Sequence, residues 1–358
     1  MIRYLSFLGL IVCTGLAISC QTHVNNHAGS GSDHRTQNQD FIPSKVIAPY
    51  VTGVYEDSKG HLWFGTISKG IARYDGKVLK YFTREDGLPT DRVIGIQEDA
   101  NGLYWLNTGE GLVQYNGTKF TTYRISDEDM MSNSVSCLYI DHNGLMWVGT
   151  WGGLYLFDEI KFTPFSLPSP NVFTSINPDT KNWITDIKGD AHGNIWMARD
   201  GYGVYRYDGA SIIHYIYADG LSSNNVTEIE IDQDDHIWLG MRNGNKDWDG
   251  IPISPITGGV NQIKDQKILS FSDIATLNDD VYEIFCDISN NLWICTTHNG
   301  VFRYDGSDFK HYDIPISIMS MAEDRNGNLW LGGAGGLYRI NPKGDIQYID
   351  SNGPWGVP

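Results

Sequence analysis

Residues 57–66 read DSKGHLWFGT, and this stretch contains the turn and the strand that decide the fold of the whole chain. Asp57 begins a four-residue turn, Gly60 supplies the position where the turn needs positive φ, and Trp63 lies in a short apolar strand. The same frame, an Asp followed by a Trp six residues later, occurs at seven places: Asp57 and Trp63, Asp99 and Trp105, Asp141 and Trp147, Asp190 and Trp196, Asp232 and Trp238, Asp287 and Trp293, and Asp324 and Trp330. Successive Trp residues are 42, 42, 49, 42, 55 and 37 residues apart, and such a period predicts a propeller or a solenoid.

The sequence around each Trp predicts four short strands joined by tight turns. In the first repeat these are VTGVYE at 51–56, LWFGT at 62–66, IARY at 71–74 and VLKYFT at 78–83, all rich in β-branched and aromatic residues. The dipeptide Asp75-Gly76, between the third and fourth strands, is typical of a hairpin turn. One four-stranded meander cannot bury both of its faces, whereas meanders repeated around an axis bury each Trp against the next blade.

These repeats predict an all-β fold, a seven-bladed β-propeller of four-stranded antiparallel blades, within residues 41–358. The final repeat already contains all four strands, through Ile346–Ile349, which leaves two places for the segment Phe41–Tyr50. It either adds an outer strand or bridges the first and seventh blades to close the ring. The blades are expected to start near residues 51, 93, 135, 184, 226, 281 and 318.

Residues 1–20 resemble a bacterial lipoprotein signal peptide that ends at an acylated cysteine. Arg3 supplies a positive charge, Tyr4–Ile18 is apolar but too short to span a membrane, and small residues precede Cys20. The alternative is an ordinary secretory signal with an incidental cysteine. Residues 21–40 are rich in Gly, Ser and Asn and predict a flexible tether. We expect a periplasm-facing lipoprotein that meets the membrane only through the lipid on Cys20, in the outer membrane because Gln21 carries no retention charge.

The composition restricts the partners of the chain. Its 358 residues carry a formal net charge of −17, so the surface repels phosphate backbones and we expect no nucleic-acid partner. Solubility is the simplest reason for such a charge, and neutral, cationic or metal-bearing ligands stay open. We expect a monomer without a cofactor.

Metal sites and disulfides are both weakly indicated. Turns such as Asp141–Gly144 resemble part of a calcium loop, but they lack its further oxygen ligands and closing Glu, so we interpret the aspartates as turn caps. Cys286 and Cys295 fall on neighbouring predicted strands, which would allow a bridge. Together with Cys137, they fit buried free thiols better, and none has His at metal-ligand spacing.

Several of the repeated strings resemble the two-component regulator propeller family. They are DSKGHLWFGT, GIARYDG at Gly70–Gly76, DGLPTD at Asp86–Asp91 and DGLSSNN at Asp219–Asn225, and the resemblance covers residues 51–350. It implies a part of the periplasmic sensing region of large hybrid histidine kinases, thought to recognise carbohydrates or related ligands. The chain has one set of seven repeats and no kinase, so we expect a stand-alone lipoprotein. The family has no fixed catalytic motif, and no catalytic residue is carried over.

Two insertions break the repeat period, and both fall on one face of the predicted ring. They are the loop Met241–Gly259 in blade 5 and the connection Ser166–Trp183 between blades 3 and 4. Loops on a rigid scaffold are where binding residues usually lie, and aromatic rings with nearby Arg and Asp suit sugar rings. The predicted ligand-binding residues on blades 3–6 are Trp151, Trp183, Arg199, Asp200, Tyr202, Arg242, Trp248 and His298. The alternative is that these Trp residues only pack their own loops.

Three functions remain open at this stage. The leading hypothesis is a non-catalytic sensor that binds a small-molecule or glycan ligand on the face of blades 3–5. The second is a scaffold for an envelope protein partner, and the least favoured is a lyase-type propeller enzyme. A narrow aromatic cleft over blades 3–5 would favour a sugar, a broad flat aromatic face a protein, and a deep pocket with two or more carboxylates or His around the axis an enzyme.

Overall fold

The computed structural model describes residues 47–169, 178–242, 258–271, 277, 279–350 and 353–354, and the following statements concern these residues. They form seven four-stranded sheets, and in each sheet consecutive strands are neighbours and antiparallel. The prediction of a seven-bladed propeller with four-stranded antiparallel blades is therefore confirmed. Because each blade consists of one continuous stretch of chain, the ring follows directly from the repeat seen in the sequence.

The innermost strand of each blade is the first in its sequence, and the fourth lies at the rim. The strands are β1 Val51–Glu56, β2 Leu62–Thr66, β3 Ile71–Tyr74 and β4 Leu79–Phe82 in blade 1; β5 Val93–Glu98, β6 Tyr104–Thr108, β7 Gly111–Tyr115 and β8 Phe120–Tyr123 in blade 2; β9 Val135–Ile140, β10 Met146–Thr150, β11 Leu154–Phe157 and β12 Phe162–Phe165 in blade 3; β13 Ile184–Gly189, β14 Ile195–Arg199, β15 Gly203–Tyr207 and β16 Ile212–Tyr215 in blade 4; β17 Val226–Ile231, β18 Ile237–Met241, β19 Gly259–Lys264 and β20 Lys267–Ser270 in blade 5; β21 Val281–Cys286, β22 Leu292–Thr296, β23 Val301–Tyr304 and β24 Phe309–Tyr312 in blade 6; and β25 Ile318–Glu323, β26 Leu329–Gly333, β27 Gly336–Ile340 and β28 Ile346–Ile349 in blade 7.

Helical structure is confined to single turns in the connections between blades, as far as the chain is described. Helix α1, Met130–Asn133, connects blades 2 and 3, and short 3-10 turns lie at Arg84–Asp86, Pro178–Thr180 and Tyr217–Asp219. No helix among the described residues is long and apolar enough to cross a membrane.

The repeated Asp and Trp side chains are joined by a hydrogen bond in every blade. In blade 1 the Nε1 of Trp63 donates to Asp57 Oδ2 at 2.9 Å, while Asp57 Oδ1 accepts from the backbone nitrogens of Lys59 and His61 at 3.0 and 2.8 Å. The other six pairs repeat the bond. Burial alone would raise the pKa of Asp57, but the hydrogen bonds from Trp63, His61 and Tyr104 lower it. Each Asp therefore fixes a turn and a core ring together.

Each repeated Trp packs against the following blade and so joins neighbouring sheets. The ring of Trp63 lies 4.9 Å from that of Tyr104 on β6, and the two share a buried cluster with Leu106 and Val113. Trp330 of blade 7 closes the series against Phe64 of blade 1, at a centroid distance of 5.9 Å. Burial of side chains of this size contributes most of the packing energy between blades.

The segment before β1 bridges the first and seventh blades, which answers the question left open by the sequence. Tyr50 pairs with Ala334 of blade 7, and the carbonyl of Ile47 accepts from Tyr81 Oη of blade 1 at 2.9 Å. From the other end of the chain, the carbonyl of Pro354 accepts from Tyr74 Oη of blade 1 at 3.1 Å. Both chain ends thus cross the same seam. Residues 41–46 of the predicted segment lie outside the described residues.

Two local predictions can be compared directly with the coordinates. Asp235 and Asn290 occupy the turn position where other blades have Gly, and both adopt left-handed backbone with φ of 62° and 61°. Cys137, Cys286 and Cys295 are free thiols. Burial raises the pKa of Cys286 to about 12, so this thiol is a poor nucleophile.

Candidate functional site

The candidate site lies on the face that carries the second-to-third strand loops and the connections between blades, which we call the top face. Trp151 follows β10 of blade 3, and Trp183 precedes β13 of blade 4. Their rings stack with centroids 4.4 Å apart and an interplanar angle of 13°. The backbone fixes both, because Trp151 N donates to Ser134 O at 3.1 Å and Trp183 N donates to Thr180 O at 2.7 Å. The structure thus brings together two residues that are 32 positions apart in the sequence.

Arg242 extends this stack toward blade 5. Its guanidinium carbon lies 5.5 Å from the centre of the Trp183 ring. The Nε1 of Trp183 is buried and has no hydrogen-bond partner among the described residues. Both rings of the stack are partly exposed.

Arg242 also forms an ion pair with Asp200, the residue after β14. The contact joins Arg242 Nη2 to Asp200 Oδ1, and the Asp200 side chain is 1% exposed. Burial alone would lower the pKa of Arg242, but the adjacent Asp200 carboxylate outweighs it and raises the pKa. Asp200 is held from its other oxygen by Thr180 Oγ1 at 2.5 Å. The pair is an internal link between blades 4 and 5 whose charges already neutralise each other.

Tyr282 belongs to the same group, although the sequence pattern did not predict it. It is the second residue of β21, where four other blades have a Ser or Thr that hydrogen-bonds the next blade, such as Thr52 Oγ1 to Val93 O at 2.7 Å. Burial raises the pKa of Tyr282, and the neighbouring Arg242 opposes that shift. Alignment of the seven innermost strands by position would have identified Tyr282, with Ile94 and Met319, as the departures from this pattern, and Tyr282 as the one among them with a hydroxyl group.

Arg199 and Tyr202 lie close together but are largely buried. The guanidinium of Arg199 donates to Lys181 O at 2.9 Å, Ser169 Oγ at 2.9 Å and Asn182 Oδ1 at 3.3 Å, and it lies 4.2 Å from the ring centre of Tyr202. Only 7% of Arg199 and 8% of Tyr202 is exposed. These contacts attach the connection between blades 3 and 4 to the end of β14, so both residues position the loop that carries Trp183.

A cleft of about 240 Å³ opens beside the tryptophan stack. Its lining includes residues 152–155, 164–167 and 169 from blade 3 and its connection, together with Asn182, Ile184 and Arg199. Neither Trp151 nor Trp183 is part of this lining, but Gly152, Asn182 and Ile184 are their neighbours in the chain. The volume lies below the usual range for drug-sized ligands, about 300–1,000 Å³, so the cleft suits one ring-sized unit at a time.

His298 lies further round the ring, on the second-to-third strand loop of blade 6. Its Nδ1 pairs with Asp279 Oδ1 at 2.9 Å, and 58% of its side chain is exposed. The structure places it on the top face, as predicted, but shows no contact between it and the tryptophan stack. Trp248 and Cys20 lie outside the described residues.

Carboxylates surround the axis beneath this face in blades 4–6. Asp186, Glu228 and Glu283 are the third residues of β13, β17 and β21, and Glu230 follows two positions after Glu228; we call these four the axial acidic cluster. Lys188 Nζ lies 3.2 Å from Glu230 Oε2 and 3.8 Å from Glu228 Oε1. Burial and the neighbouring Glu230 and Asp186 raise the pKa of Glu283 to about 8, although Lys188 opposes the shift.

The members of this cluster also hold neighbouring strands together. Asp186 Oδ2 accepts from Ile229 N at 3.0 Å, Glu230 Oε1 from Cys286 N at 2.9 Å, and Glu283 Oε1 from Met321 N at 3.2 Å. Three of the four carboxylates are therefore engaged in the seams between blades. This engagement weakens their case as catalytic groups.

The opposite face offers two other features that could suggest a site. Asp190, His192 and Asp235 have ligand atoms within 4.8 Å of one another, but Asp190 already accepts from Asn194 Nδ2 and Trp196 Nε1 at 2.7 and 2.9 Å. The same applies to the neighbouring turn of Asp232. A wide hollow of about 680 Å³ between blades 1 and 2 is open and lined by turn residues that already bind each other. Because the polar groups of both features already bind one another, neither feature resembles a preorganised ligand site.

Taken together, the geometry defines a seven-bladed β-propeller with an aromatic cleft on its top face. Residues 46–68, 129–152 and 314–335 match the family model described as two component regulator propeller. A histidine kinase, P4, from Formosa agariphila is 28% identical over 206 residues, which span 51% of this chain and 14% of the kinase. The chain therefore corresponds to a small part of that relative.

Solved structures show the same fold at low sequence identity. One, described as the extracellular domain of the hybrid two component system BT3049 from B. thetaiotaomicron, has a TM-score of 0.64 and 21% identity over 81% of this chain and 39% of that chain. Virginiamycin B lyase from Staphylococcus aureus has a TM-score of 0.64 and 15% identity, over 84% of this chain and 96% of the lyase. Since a sensor domain and a lyase share the fold, the fold alone does not choose between binding and catalysis.

Proposed function

We propose that this chain is a non-catalytic, ligand-binding sensor propeller of the cell envelope, anchored through Cys20, which recognises a carbohydrate or a similar small ligand on blades 3–5. The observation that carries the proposal is the stacked pair Trp151 and Trp183, whose neighbours in the chain line a ring-sized cleft. Sugars present an apolar face that packs on an aromatic ring and hydroxyl groups that need polar partners at its edge. The family repeats and the likeness to extracellular domains of two-component systems support a sensing role.

Within this proposal the residues of the stack have different roles. Trp151 presents a partly exposed ring to the ligand, and Trp183 supports it by stacking, with the Arg242 guanidinium 5.5 Å from the centre of the Trp183 ring. Asn182 and Ser169 line the cleft and offer polar groups, while Arg199 holds the connection that carries them. Because the supporting residues are fixed by buried contacts, the platform is preorganised, which reduces the entropy lost when a ligand binds.

The enzyme hypothesis receives one observation in its favour, the carboxylates around the axis. Two or more carboxylates or His around the axis are one requirement of the enzyme hypothesis, and the axial acidic cluster supplies enough carboxylates. Neither of the two His-containing groups with metal-ligand geometry in the described part of the chain includes these carboxylates. We therefore keep the binding function first. An envelope protein partner on the same face is the alternative, and a narrow cleft favours it less than a broad flat surface would.

A glycan array followed by thermal shift of the purified chain tests the proposal. Trp151→Ala should weaken binding of any saccharide hit at least about tenfold, since loss of a central aromatic contact removes a large share of the binding energy. Tyr348→Ala, which removes a partly exposed ring on the rim strand of blade 7, is the matched control and should bind like the wild type. No saccharide hit, together with recovery of an envelope protein whose binding Trp151→Ala abolishes, would replace the sugar proposal with the scaffold.

A further inference from the structure

The cations near the candidate site are already paired within the protein. Arg242 is bound to Asp200, His298 to Asp279, and Arg199 is surrounded by hydrogen-bond acceptors of its own connection. Lys181, on the same connection, is exposed to solvent, where its charge is screened by salt. A negatively charged ligand group would have to compete with internal partners for Arg199, Arg242 and His298.

The axial acidic cluster adds a local excess of carboxylates close to this site. Four carboxylates share one lysine, Lys188, within blades 4–6, but the raised pKa values of Glu228 and Glu283 mean that these two add less negative charge near neutral pH than their number suggests. Asp186 is only three residues from Trp183, which corresponds to about 10 Å along a strand at 3.3 Å per residue. That distance is similar to the Debye length at physiological salt, about 8 Å, and partly buried charges are screened less than exposed ones.

The carboxylates themselves respond to this crowding. Burial first, and then the neighbouring carboxylates, raise the pKa of Glu228 well above its ordinary value, in spite of Lys188. A region that resists the ionisation of its own side chains offers poor surroundings for a further carboxylate or sulfate group. A neutral ring or a protonated amine meets no such opposition.

We infer that the top-face site of this propeller accepts neutral or amine-bearing saccharides and rejects carboxylated or sulfated ones. The inference rests on the proposed function and names the ligand class of the same site. Its basis is the juxtaposition of internally paired cations at the cleft with the axial acidic cluster beneath it. Specificity here comes from repulsion of the wrong ligand as much as from attraction of the right one.

Calorimetric titration with three tetrasaccharides of equal length tests this inference on the full chain. The probes are a galactose oligomer, a glucosamine oligomer and a galacturonate oligomer, which are neutral, cationic and anionic. The neutral or the cationic probe should bind at least about tenfold more tightly than the anionic one at about 0.01 M salt, and the gap should narrow at about 1 M salt. A gap that does not change with salt would mean selection by shape and would overturn the inference.

Asp200→Asn provides a second test that reverses the selectivity. The substitution keeps the shape of the side chain but leaves the charge of Arg242 uncompensated, so the variant should gain affinity for the galacturonate oligomer about tenfold. Its thermal midpoint should fall, and a cooperative thermal transition shows that it is folded. If this variant does not fold, the salt dependence of saccharide binding to the wild type still tests the inference. Equal or tighter binding of the galacturonate oligomer to the wild type overturns the inference and leaves the saccharide function standing. Binding of none of the three probes overturns the proposed function as well.

Discussion

The innermost strands of blades 1–3 and of blades 4–6 have the same geometry but different residues at their third position. Blades 1–3 have Gly53, Gly95 and Cys137 there, whereas blades 4–6 have Asp186, Glu228 and Glu283. A Cβ atom on Gly53 would lie 2.6 Å from the backbone oxygen of Ile94, so the first seam has no room for a side chain. In blades 4–6 the third position of the innermost strand holds a carboxylate side chain instead.

This difference shows that blades 1–3 and blades 4–6 vary one position of a shared scaffold in different ways. The Asp–Trp frame is shared by all blades and specifies the architecture. The charged third positions occur in the blades next to the tryptophan stack, and the site residues Arg199, Asp200, Arg242 and Tyr282 belong to those same blades. Departures from the repeat, rather than the repeat itself, therefore indicate where function lies.

The largest expected effect tests the shared frame. Trp63→Ala in blade 1 and Trp238→Ala in blade 5 should each lower the free energy of unfolding by about 3–5 kcal/mol, because each removes a buried ring from a seam between blades. Trp151→Ala should cost only about 0.5–1.5 kcal/mol, since it removes one partly exposed stacking partner. Urea unfolding followed by fluorescence or circular dichroism measures all three. A large difference between Trp63→Ala and Trp238→Ala would contradict the view that the frame is equivalent in both halves.

The next effect in size belongs to the axial acidic cluster alone. Glu283 has a pKa of about 8 in the folded protein, against an ordinary value of 4.5. The folded state therefore binds the proton more tightly than the unfolded state, and stability is lost as pH rises between these two values. Each pH unit within this window should lower the free energy of unfolding by at most about 1.4 kcal/mol. The urea midpoint of the wild type should fall from pH 5 to pH 8, and it should fall less in Glu283→Gln.

Glu128→Gln, at an exposed carboxylate on the connection between blades 2 and 3, is the matched control and should keep the wild-type pH dependence. Aspartates with lowered pKa, such as Asp57 and Asp190, act in a different window, because their stabilisation is lost only as the pH falls below the ordinary value of 3.8. Parallel pH profiles for Glu283→Gln and the wild type would show that the cluster does not hold a proton near neutral pH.

The smallest of the three expected effects on stability distinguishes Arg199, which holds a connection in place, from Arg124, which lies in an exposed ion pair. Arg199→Lys should destabilise the protein by about 1–2 kcal/mol, because lysine cannot reach all the acceptors of the planar guanidinium and leaves some of them unsatisfied. Arg124→Lys, which alters an exposed ion pair with Glu110, should change stability by less than about 0.5 kcal/mol. Limited proteolysis should also cut Arg199→Lys faster near residues 166–183. Equal behaviour of the two variants would mean that Arg199 does not hold this connection.

The sequence predicted the architecture well because its signal is redundant. Seven Asp–Trp pairs at nearly constant spacing leave few other folds, and each turn aspartate is explained by contacts within its own repeat. Trp151 and Trp183 could be selected because they stand outside the repeat, and the structure does bring them together. Their stacking could not be predicted, since it depends on how the connection from blade 3 folds back.

Other features depend on contacts between blades, which single-repeat patterns do not reveal. Arg199 and Asp200 were selected as ligand contacts from their place after a strand, yet their polar atoms are occupied by the protein itself. Tyr282 and Glu283 looked like ordinary strand residues until the seven innermost strands were compared position by position. For Trp248 and His298, a role in ligand binding is still a prediction.

The closure of the ring has a consequence for how the molecule opens. Among the described strands none completes the sheet of another blade, and the seam between blades 7 and 1 is held by side-chain packing, by Arg325 with Glu56, and by the two chain ends at Tyr50 and Pro354. As at the other seams of the described chain, the two blades can part here without breaking either sheet, as a local opening whose free energy is below that of global unfolding. Amide hydrogens whose bonds cross this seam would then exchange together and earlier than those inside the blades. A force applied to the N-terminal segment would act first on the contacts of this seam.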